Sequence, residues 1–281
     1  MRCELVKNVI KTIILILLIF IIFSIGILVF SNLKQNNEQY ESNIINEKNS
    51  QTLQIDNTKI TNLTERSRDN SGSMTKIKNV SNLNLSKIVL YYNELDENNN
   101  KVSNSKIYVD VTLTPEEVMQ IQFVPKDYTN TIEVTGYSYI VEDSKVSVGL
   151  ENDEVDISEN DKYLENSKNY EVMSIKKIDK ENALQNDLSY LVEIENISQK
   201  TLGNIVLRIA EVNKQDEIIS VDHVAFNSVL KPGQREEVIS SLTTPKYDIK
   251  ILGYTYDDIE SKSNIDIDLI THKVNIIDNK K

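Results

Sequence analysis

The sequence of 281 residues is poor in the residue types that build catalytic, metal and disulfide sites. It has one cysteine, Cys3, no tryptophan, and two histidines, His223 and His272, that stand far apart in the chain. A zinc site at either histidine would need Asp or Glu to complete its ligands, and no disulfide can form within the chain. The nucleotide-binding loops and the motifs of serine hydrolases and zinc proteases are absent as well. We therefore predict a protein without cofactor, metal or catalytic residues, and not an enzyme.

Positive charge is also in short supply. The net charge is −12, and the N-terminal segment is itself basic, so the rest of the chain is more acidic than this total. An acidic surface repels phosphate backbones, which argues against binding to nucleic acid.

One long hydrophobic run is present. Residues 12–30 carry no charge, and as a helix these 19 residues would span about 28 Å, close to the thickness of a bilayer core. Basic residues precede the run, which by the positive-inside rule places residues 1–11 in the cytoplasm and the remainder outside. We predict a transmembrane anchor at residues 12–31, in contact with the lipid bilayer, at the cell membrane.

A cleaved signal peptide is the alternative for this segment. Signal peptides have a shorter apolar core and a small-residue cleavage site, whereas this run ends in Val29-Phe30-Ser31. Length therefore favours retention as an anchor. Cys3 precedes the run, where a lipoprotein cysteine would follow it. Residues 32–50 are polar without periodicity and are interpreted as a spacer.

An internal repeat dominates the rest of the chain. Shifted by 117 residues, segment 79–145 aligns with 196–262 without a gap, so that Leu85 meets Leu202 and Gly136 meets Gly253. Apolar residues alternate with polar ones in both copies, as at Ile88, Leu90 and Tyr92, which is the period of a β-strand. We predict an all-β protein with two tandem immunoglobulin-like β-sandwich domains, at residues 51–157 and 168–281, joined by a linker at 158–167.

Turn residues recur at the same offset. Lys231-Pro232-Gly233-Gln234 has proline at its second position and a glycine free to take positive φ, which is typical of a tight turn. The first copy reads Thr114-Pro115-Glu116-Glu117 and lacks the glycine. We therefore predict a type I turn there.

The second copy, from Val192 to Val238, resembles the FxLYD-type bacterial extracellular domains. The shared features are an Asn-x-Ser turn after the first strand, an alternating strand that leads to a polar turn, and a Leu-Lys-Pro-Gly-Gln step. In the first copy Leu90-Tyr91-Tyr92 is the nearest match to the Leu-Tyr-Asp segment of the family, and the second copy has Leu207-Arg208-Ile209 there. The resemblance implies immunoglobulin-like sandwiches on a bacterial surface protein, and it brings no catalytic residues.

A repeated Tyr-x-Tyr motif is the candidate binding surface. Tyr137 and Tyr139 align with Tyr254 and Tyr256, and each pair lies on one face of its strand. Tyrosine suits a protein-binding patch because it presents a rigid amphipathic ring, but such pairs also pack across strands inside sheets. Both interpretations stay open on the sequence.

Two acidic stretches are weaker candidates for cation binding. Residues 96–100 begin like a calcium loop, but Lys101 and Ile107 stand where an EF-hand needs Gly and Glu, so a polar hairpin turn is favoured. Residues 151–161 are interpreted as a solvated linker between the domains.

These features predict a membrane-anchored, extracytoplasmic and non-enzymatic interaction module of a bacterial cell surface. Its expected partner is an envelope protein or cell-wall material. The alternative function is an accessory subunit that stabilises a membrane complex for secretion, transport or sensing, with its specificity in the transmembrane helix.

Overall fold

The computed structural model of the chain describes residues 50–61, 74–127, 129–160, 165–178, 189–241 and 247–278. Their regular structure is β-strand, apart from a 3-10 turn at Ser167–Asn169. The predicted anchor at 12–31 and all of the spacer except Ser50 lie outside these residues. Within the described ranges, no helix has the length and apolar character needed to cross a bilayer.

The seven strands between residues 74 and 159 recur in the same order between residues 189 and 278. The strands of the first repeat are β1 (Leu53–Ile55), β2 (Lys59–Ile60), β3 (Met74–Asn79), β4 (Ser86–Leu95), β5 (Lys101–Val109), β6 (Val118–Gln122), β7 (Thr131–Val141), β8 (Ser144–Gly149) and β9 (Val155–Glu159). Those of the second are β10 (Glu165–Asn166), β11 (Met173–Ile178), β12 (Ser189–Asn196), β13 (Leu202–Val212), β14 (Ile218–Phe226), β15 (Arg235–Ser241), β16 (Asp248–Asp258), β17 (Ser263–Asp268) and β18 (Lys273–Asp278).

Each repeat combines a smaller and a larger sheet. In the second repeat the smaller sheet has the order β11-β12-β15, and the larger one contains β14-β13-β16-β17-β18. Val192 and Ile194 of β12 belong to the same buried cluster as Leu207 of β13 and Tyr254 of β16, so this core lies between the two sheets. The first repeat has the corresponding orders β1-β3-β6 and β5-β4-β7-β8-β9. The all-β prediction is confirmed, and the arrangement is consistent with β-sandwiches.

The two repeats share one sheet. Strand β6 of the first repeat lies beside β14 of the second and pairs with it in parallel at Met119 and Ile218. Ion pairs flank this bridge, with Lys76 Nζ at 2.7 Å from Glu217 Oε1 and Lys250 Nζ at 2.6 Å from Glu117 Oε1. We call this contact of β6 with β14 the joint.

A buried asparagine organises the loops at one end of each sandwich. The Asn79 side chain is fully buried, and its Nδ2 donates to the carbonyls of Leu83 (2.7 Å) and Leu113 (2.9 Å). Asn196 repeats this at the carbonyls of Lys200 (2.8 Å) and Leu230 (2.9 Å). The Asn-x-Ser signal is therefore a structural element, because the buried amide ties two separate backbone segments together and has hydrogen-bond partners of its own.

The type I prediction for Thr114–Glu117 is wrong. Glu116 has φ +67°, in the same left-handed region as Gly233 at φ +72°. The backbone N–H of each residue donates to the carbonyl of the buried asparagine, Glu116 to Asn79 at 2.9 Å and Gly233 to Asn196 at 2.8 Å. These bonds hold the turn in one shape, so a glutamate adopts a conformation that normally favours glycine.

The gapless alignment ends at the β7–β8 hairpin of the first repeat, which corresponds to the β16–β17 hairpin of the second. Val141 pairs with Ser144 across the β7–β8 turn, whereas Asp258, which corresponds to Val141, pairs with Ser263 across the β16–β17 turn. The second copy therefore has two more turn residues, and Ser144 corresponds in space to Ser263 rather than to the predicted Ser261.

Part of the acidic stretch 151–161 forms strand β9, which the linker interpretation did not predict, and residues 161–164 of the predicted linker at 158–167 lie outside the described residues. Strand β9 runs to Glu159 and pairs with β8, and β10 pairs with β18 at Glu165 and Val274. Because β9 is an edge strand with most of its side chains exposed, its composition resembles that of a linker.

Candidate functional site

The tyrosines predicted as a binding surface lie inside the two cores. Tyr137, Tyr139, Tyr254 and Tyr256 are all at most 1% exposed. Within each pair the rings pack against one another, with centroids 6.2 Å apart in the first repeat and 6.1 Å apart in the second. The structure therefore corrects the surface-patch interpretation, because the rings form part of the packed interior.

The second tyrosine of each pair also holds the start of its repeat. The Tyr139 hydroxyl donates to the Ser50 carbonyl at 2.8 Å, and the Tyr256 hydroxyl donates to the Tyr170 carbonyl at 3.1 Å. Burial raises the pKa of Tyr139 to about 12 and that of Tyr254 to about 12. These phenols are structural groups that stay protonated at neutral pH.

The calcium-loop candidate at residues 96–100 is a hairpin turn closed by Asp96. Its Oδ1 accepts hydrogen bonds from the backbone N–H of Asn98 (2.9 Å) and of Asn100 (2.8 Å). Asn213 has the same role in the second repeat, where its Oδ1 accepts from Gln215 and Glu217. Since an amide replaces the carboxylate without changing the turn, the geometry requires no cation.

One cluster contains a serine, a histidine and an acid, but its order does not suit nucleophilic catalysis. Ser167 Oγ donates to Glu171, and His272 Nδ1 lies 2.9 Å from Glu171 Oε1, so both side chains contact the acid. The hydrogen bond from Ser167, followed by that from His272, holds the pKa of Glu171 below its usual value. In a catalytic triad the histidine accepts the proton of the serine hydroxyl, whereas here the serine and the histidine both contact the acid. Among the described residues, no group of three or more His, Cys, Asp or Glu could hold a metal ion.

The cleft between the repeats has a volume of about 330 Å³ and a mixed lining that includes Lys87, Glu142 and Lys273. Its two aspartates already have partners. Arg208 Nη1 binds Asp266 Oδ1 at 2.5 Å, and Thr112 Oγ1 donates to Asp268 Oδ2 at 2.5 Å. The bond from Arg208 lies within the second repeat, whereas Thr112 and Lys87, whose Nζ lies 3.6 Å from Asp266 Oδ2, link these acids to the first repeat.

The structure reveals a different exposed aromatic surface, on β4 and β5 of the first repeat. Tyr108 is 67% exposed and Tyr91 is 36% exposed, and Lys106, which pairs in register with Tyr91, has its Nζ 4.8 Å from the centre of the Tyr108 ring. A side-chain hydrogen bond to Tyr108 raises the pKa of Lys106, so the ammonium remains charged. We call these three residues the tyrosine patch.

The second repeat lacks this patch. Arg208 replaces Tyr91, His223 replaces Lys106, and Ala225 replaces Tyr108 at the corresponding positions of β13 and β14. Arg208 is turned towards β17, where Asp266 binds it, and His223 Nε2 lies 2.6 Å from Asp110 Oδ2 of the first repeat. The patch is thus a property of the first repeat and not of the fold.

Sequence reasoning missed the patch because Tyr91 and Tyr108 stand on different strands. The sequence signal is the alternation of the strand. Tyr91 stands between Leu90 and Tyr92, so its side chain points to the other face of the sheet. In strand β4, Leu90 and Tyr92 are buried and Tyr91 faces outward. Flat, exposed rings beside a cation are suited to stacking and hydrogen bonding with a protein or saccharide surface.

No protein-family model matches the chain, and no curated protein matches it. Three similar solved structures are a transglutaminase from red sea bream, a β-glucuronidase from Bacteroides uniformis and a protein named pT26-6p. Their sequence identities are 10%, 13% and 8%, over 82%, 72% and 72% of this chain and 31%, 27% and 58% of theirs. This chain therefore spans about a third or less of the first two. Each TM-score is 0.18, which is too low to support an argument about fold or function.

Proposed function

We propose that this chain is a non-enzymatic binding protein of a bacterial cell surface, in which the tyrosine patch contacts an envelope protein or cell-wall material. The exposed Tyr91, Lys106 and Tyr108 carry this proposal. Tyrosine is enriched where proteins bind partners, because one ring contributes a large contact area at little cost in side-chain entropy. Among the described residues six other tyrosines are enclosed in the cores, so the exposure of these two is selective.

The proposal includes the predicted topology and fold. Residues 12–31 hold the chain in the membrane with the N-terminus in the cytoplasm, and two immunoglobulin-like domains of the FxLYD type stand outside. The uncharged run of residues 12–30 supports the anchor. The pairs of sheets around a common core support the domain type.

A photo-crosslinking amino acid at position 108 tests the patch in intact cells. We expect an adduct with an envelope component from position 108 and none from position 225, the corresponding site in the second repeat. In addition, Tyr91→Ala should reduce the adduct about tenfold, as expected if the side chain contributes about 1.4 kcal/mol to binding. Equal yields from both positions, or none from either, would overturn the proposed role of the patch.

Protease added to intact cells tests the topology separately. Residues 50–278 should be cleaved in intact cells as well as in lysed ones if they lie outside the membrane. Protection in intact cells that is lost on lysis would place them in the cytoplasm and refute the surface assignment.

A further inference from the structure

The joint is made from two different surfaces, one from each repeat. The first repeat contributes the outer edge of β6, the last strand of its smaller sheet, and the second contributes the outer edge of β14, the first strand of its larger sheet. Because both repeats have the same fold, each surface is present twice in the chain. A contact of this head-to-tail kind can propagate.

The second copy of each surface is unpaired in the part of the chain that the structure describes. Strand β15, which corresponds to β6, ends the smaller sheet of the second repeat, and β5, which corresponds to β14, ends the larger sheet of the first. Lys101 and Val102 of β5 are exposed, and so are Arg235 and Glu237 of β15. The outer backbone N–H and C=O groups of such edges are available to another strand.

We infer that β15 of one copy of the chain pairs in parallel with β5 of a second copy, in the geometry of the joint. Positions 119 and 218 of the joint correspond to Glu236 and Lys101 in this contact between copies. The apolar bridge of Met119 and Ile218 is thereby replaced by residues of opposite charge. This charge complementarity favours the second copy over an unrelated strand.

The contact is independent of the partner proposed for the tyrosine patch. It uses the backbone edge of β5, whereas Tyr108 and Lys106 project from the outer face of the sheet. In the joint His223, which corresponds to Lys106, contacts Asp110 across the joint at 2.6 Å and still keeps a side chain that is 49% exposed, so edge pairing leaves most of the outer face open. The test of strand pairing between copies can therefore fail while the test of the tyrosine patch succeeds, and the reverse.

Cysteine crosslinking of the full chain in its membrane tests the contact. Cys3 is first replaced by Ser, so that no other thiol is present. Paired strand positions lie within the range of Cα distances that a disulfide accepts. Two differently tagged chains, one with Lys101→Cys and the other with Glu236→Cys, should form a covalent dimer after mild oxidation when they are coexpressed. Each chain expressed alone should remain monomeric, because a head-to-tail contact does not bring the same residue together twice.

The joint itself supplies the matched control. A chain with Met119→Cys and Ile218→Cys should form an intrachain disulfide, seen as a mobility shift without dimer. If this control crosslinks and the coexpressed pair stays monomeric, the inference is wrong. Dimers from Lys101→Cys alone would also overturn it, since they indicate a symmetric contact.

Charge reversal distinguishes the specific contact from random collision, with crosslinking moved to the neighbouring positions Val102→Cys and Glu237→Cys. Lys101→Glu or Glu236→Lys alone should lower the dimer yield at least fivefold through like-charge repulsion, and combining the two should restore it. Yields that do not respond to these changes would refute the proposed register.

Discussion

At the scale of single residues, the phenolic hydroxyls of Tyr139 and Tyr256 connect the core of each repeat to the segment that precedes its first long strand. Each accepting carbonyl, at Ser50 or Tyr170, lies at the start of its repeat. Tyr139→Phe should lower the free energy of unfolding by about 1 kcal/mol, because it removes a buried hydrogen bond to the Ser50 carbonyl, which also accepts from the Thr52 N–H. Urea denaturation measures this loss. Tyr108→Phe is the exposed control and should stay within about 0.5 kcal/mol of the parent; equal effects would contradict the structural role.

The same phenols should make the protein sensitive to alkali. Because burial raises the pKa of Tyr139 and of Tyr254 to about 12, the unfolded chain releases these protons near pH 10 while the folded chain retains them. Their contribution to stability is complete below pH 10 and is lost as the pH rises towards 12, by about 1.4 kcal/mol per pH unit for each group.

Urea denaturation at a series of pH values between 9 and 12 would reveal this slope. Tyr139→Phe should make the slope shallower, since one of the shifted groups is removed. A slope that is unchanged in this variant would show that the alkaline sensitivity arises elsewhere.

The buried tyrosines could be placed on one face of a strand from the sequence, but their burial could not. Alternation placed Tyr137 and Tyr139 on one face of a strand, which the ring packing confirms. It could not reveal that this face is the buried one, because a tyrosine has an apolar body and a polar tip and suits either side. Burial is decided by the opposite sheet, whose residues are distant in the sequence.

At the scale of elements, the turn before β15 depends on one glycine in the left-handed region. Gly233 has φ +72°, and a Cβ added to it would meet no atom within 4 Å, so a substitution there changes only the backbone energy. Gly233→Ala should therefore destabilise the protein by about 1 kcal/mol. Thermal or urea unfolding would measure this change.

The control is Gly203→Ala, in β13 of the same repeat. There an added Cβ would lie 3.5 Å from Ile259 Cδ1, an ordinary contact, and φ is not positive. This variant should be neutral or slightly stabilising. If Gly233→Ala were equally harmless, the left-handed geometry of the turn would be wrong.

Most strands could be predicted at this scale, and the exceptions have local causes. The alternation of Ile88, Leu90 and Tyr92 identified β4 because one face of that strand is buried. Strand β9 escaped detection because an edge strand needs little apolar character. The turn at Glu116 could not be inferred, since its shape is imposed by the Asn79 carbonyl of another strand.

At the scale of the whole molecule, the joint depends on charge as well as on strand pairing. The hydrogen bond from Lys76 lowers the pKa of Glu217, which favours the ion pair at neutral pH. Lys76→Gln should therefore lower the stability by about 0.5–1 kcal/mol at pH 7. This contribution exists above the ordinary pKa of a glutamate and disappears as the pH falls through the lowered pKa of Glu217, so the stabilities of variant and parent should converge in acid.

Lys78→Gln is the comparison for this variant. Lys78 pairs with Glu116 within the first repeat at 2.5 Å, and the Glu116 side chain is 70% exposed. Urea denaturation at pH 7 should show a smaller loss for this exposed pair. A larger effect of Lys78→Gln would mean that the pair across the joint contributes little.

The shared sheet has a consequence for how a ligand would be presented. Two domains joined by a free hinge sample many mutual angles. When a partner binds both domains, this rotational freedom is lost, and its entropy reduces the affinity. Here the parallel bridge between Met119 and Ile218 and the ion pairs beside it join the two repeats, so the angle is set during folding. A receptor that reads both repeats at once would meet a preorganised surface, and a loosened joint would weaken such recognition even though no contacting side chain had changed.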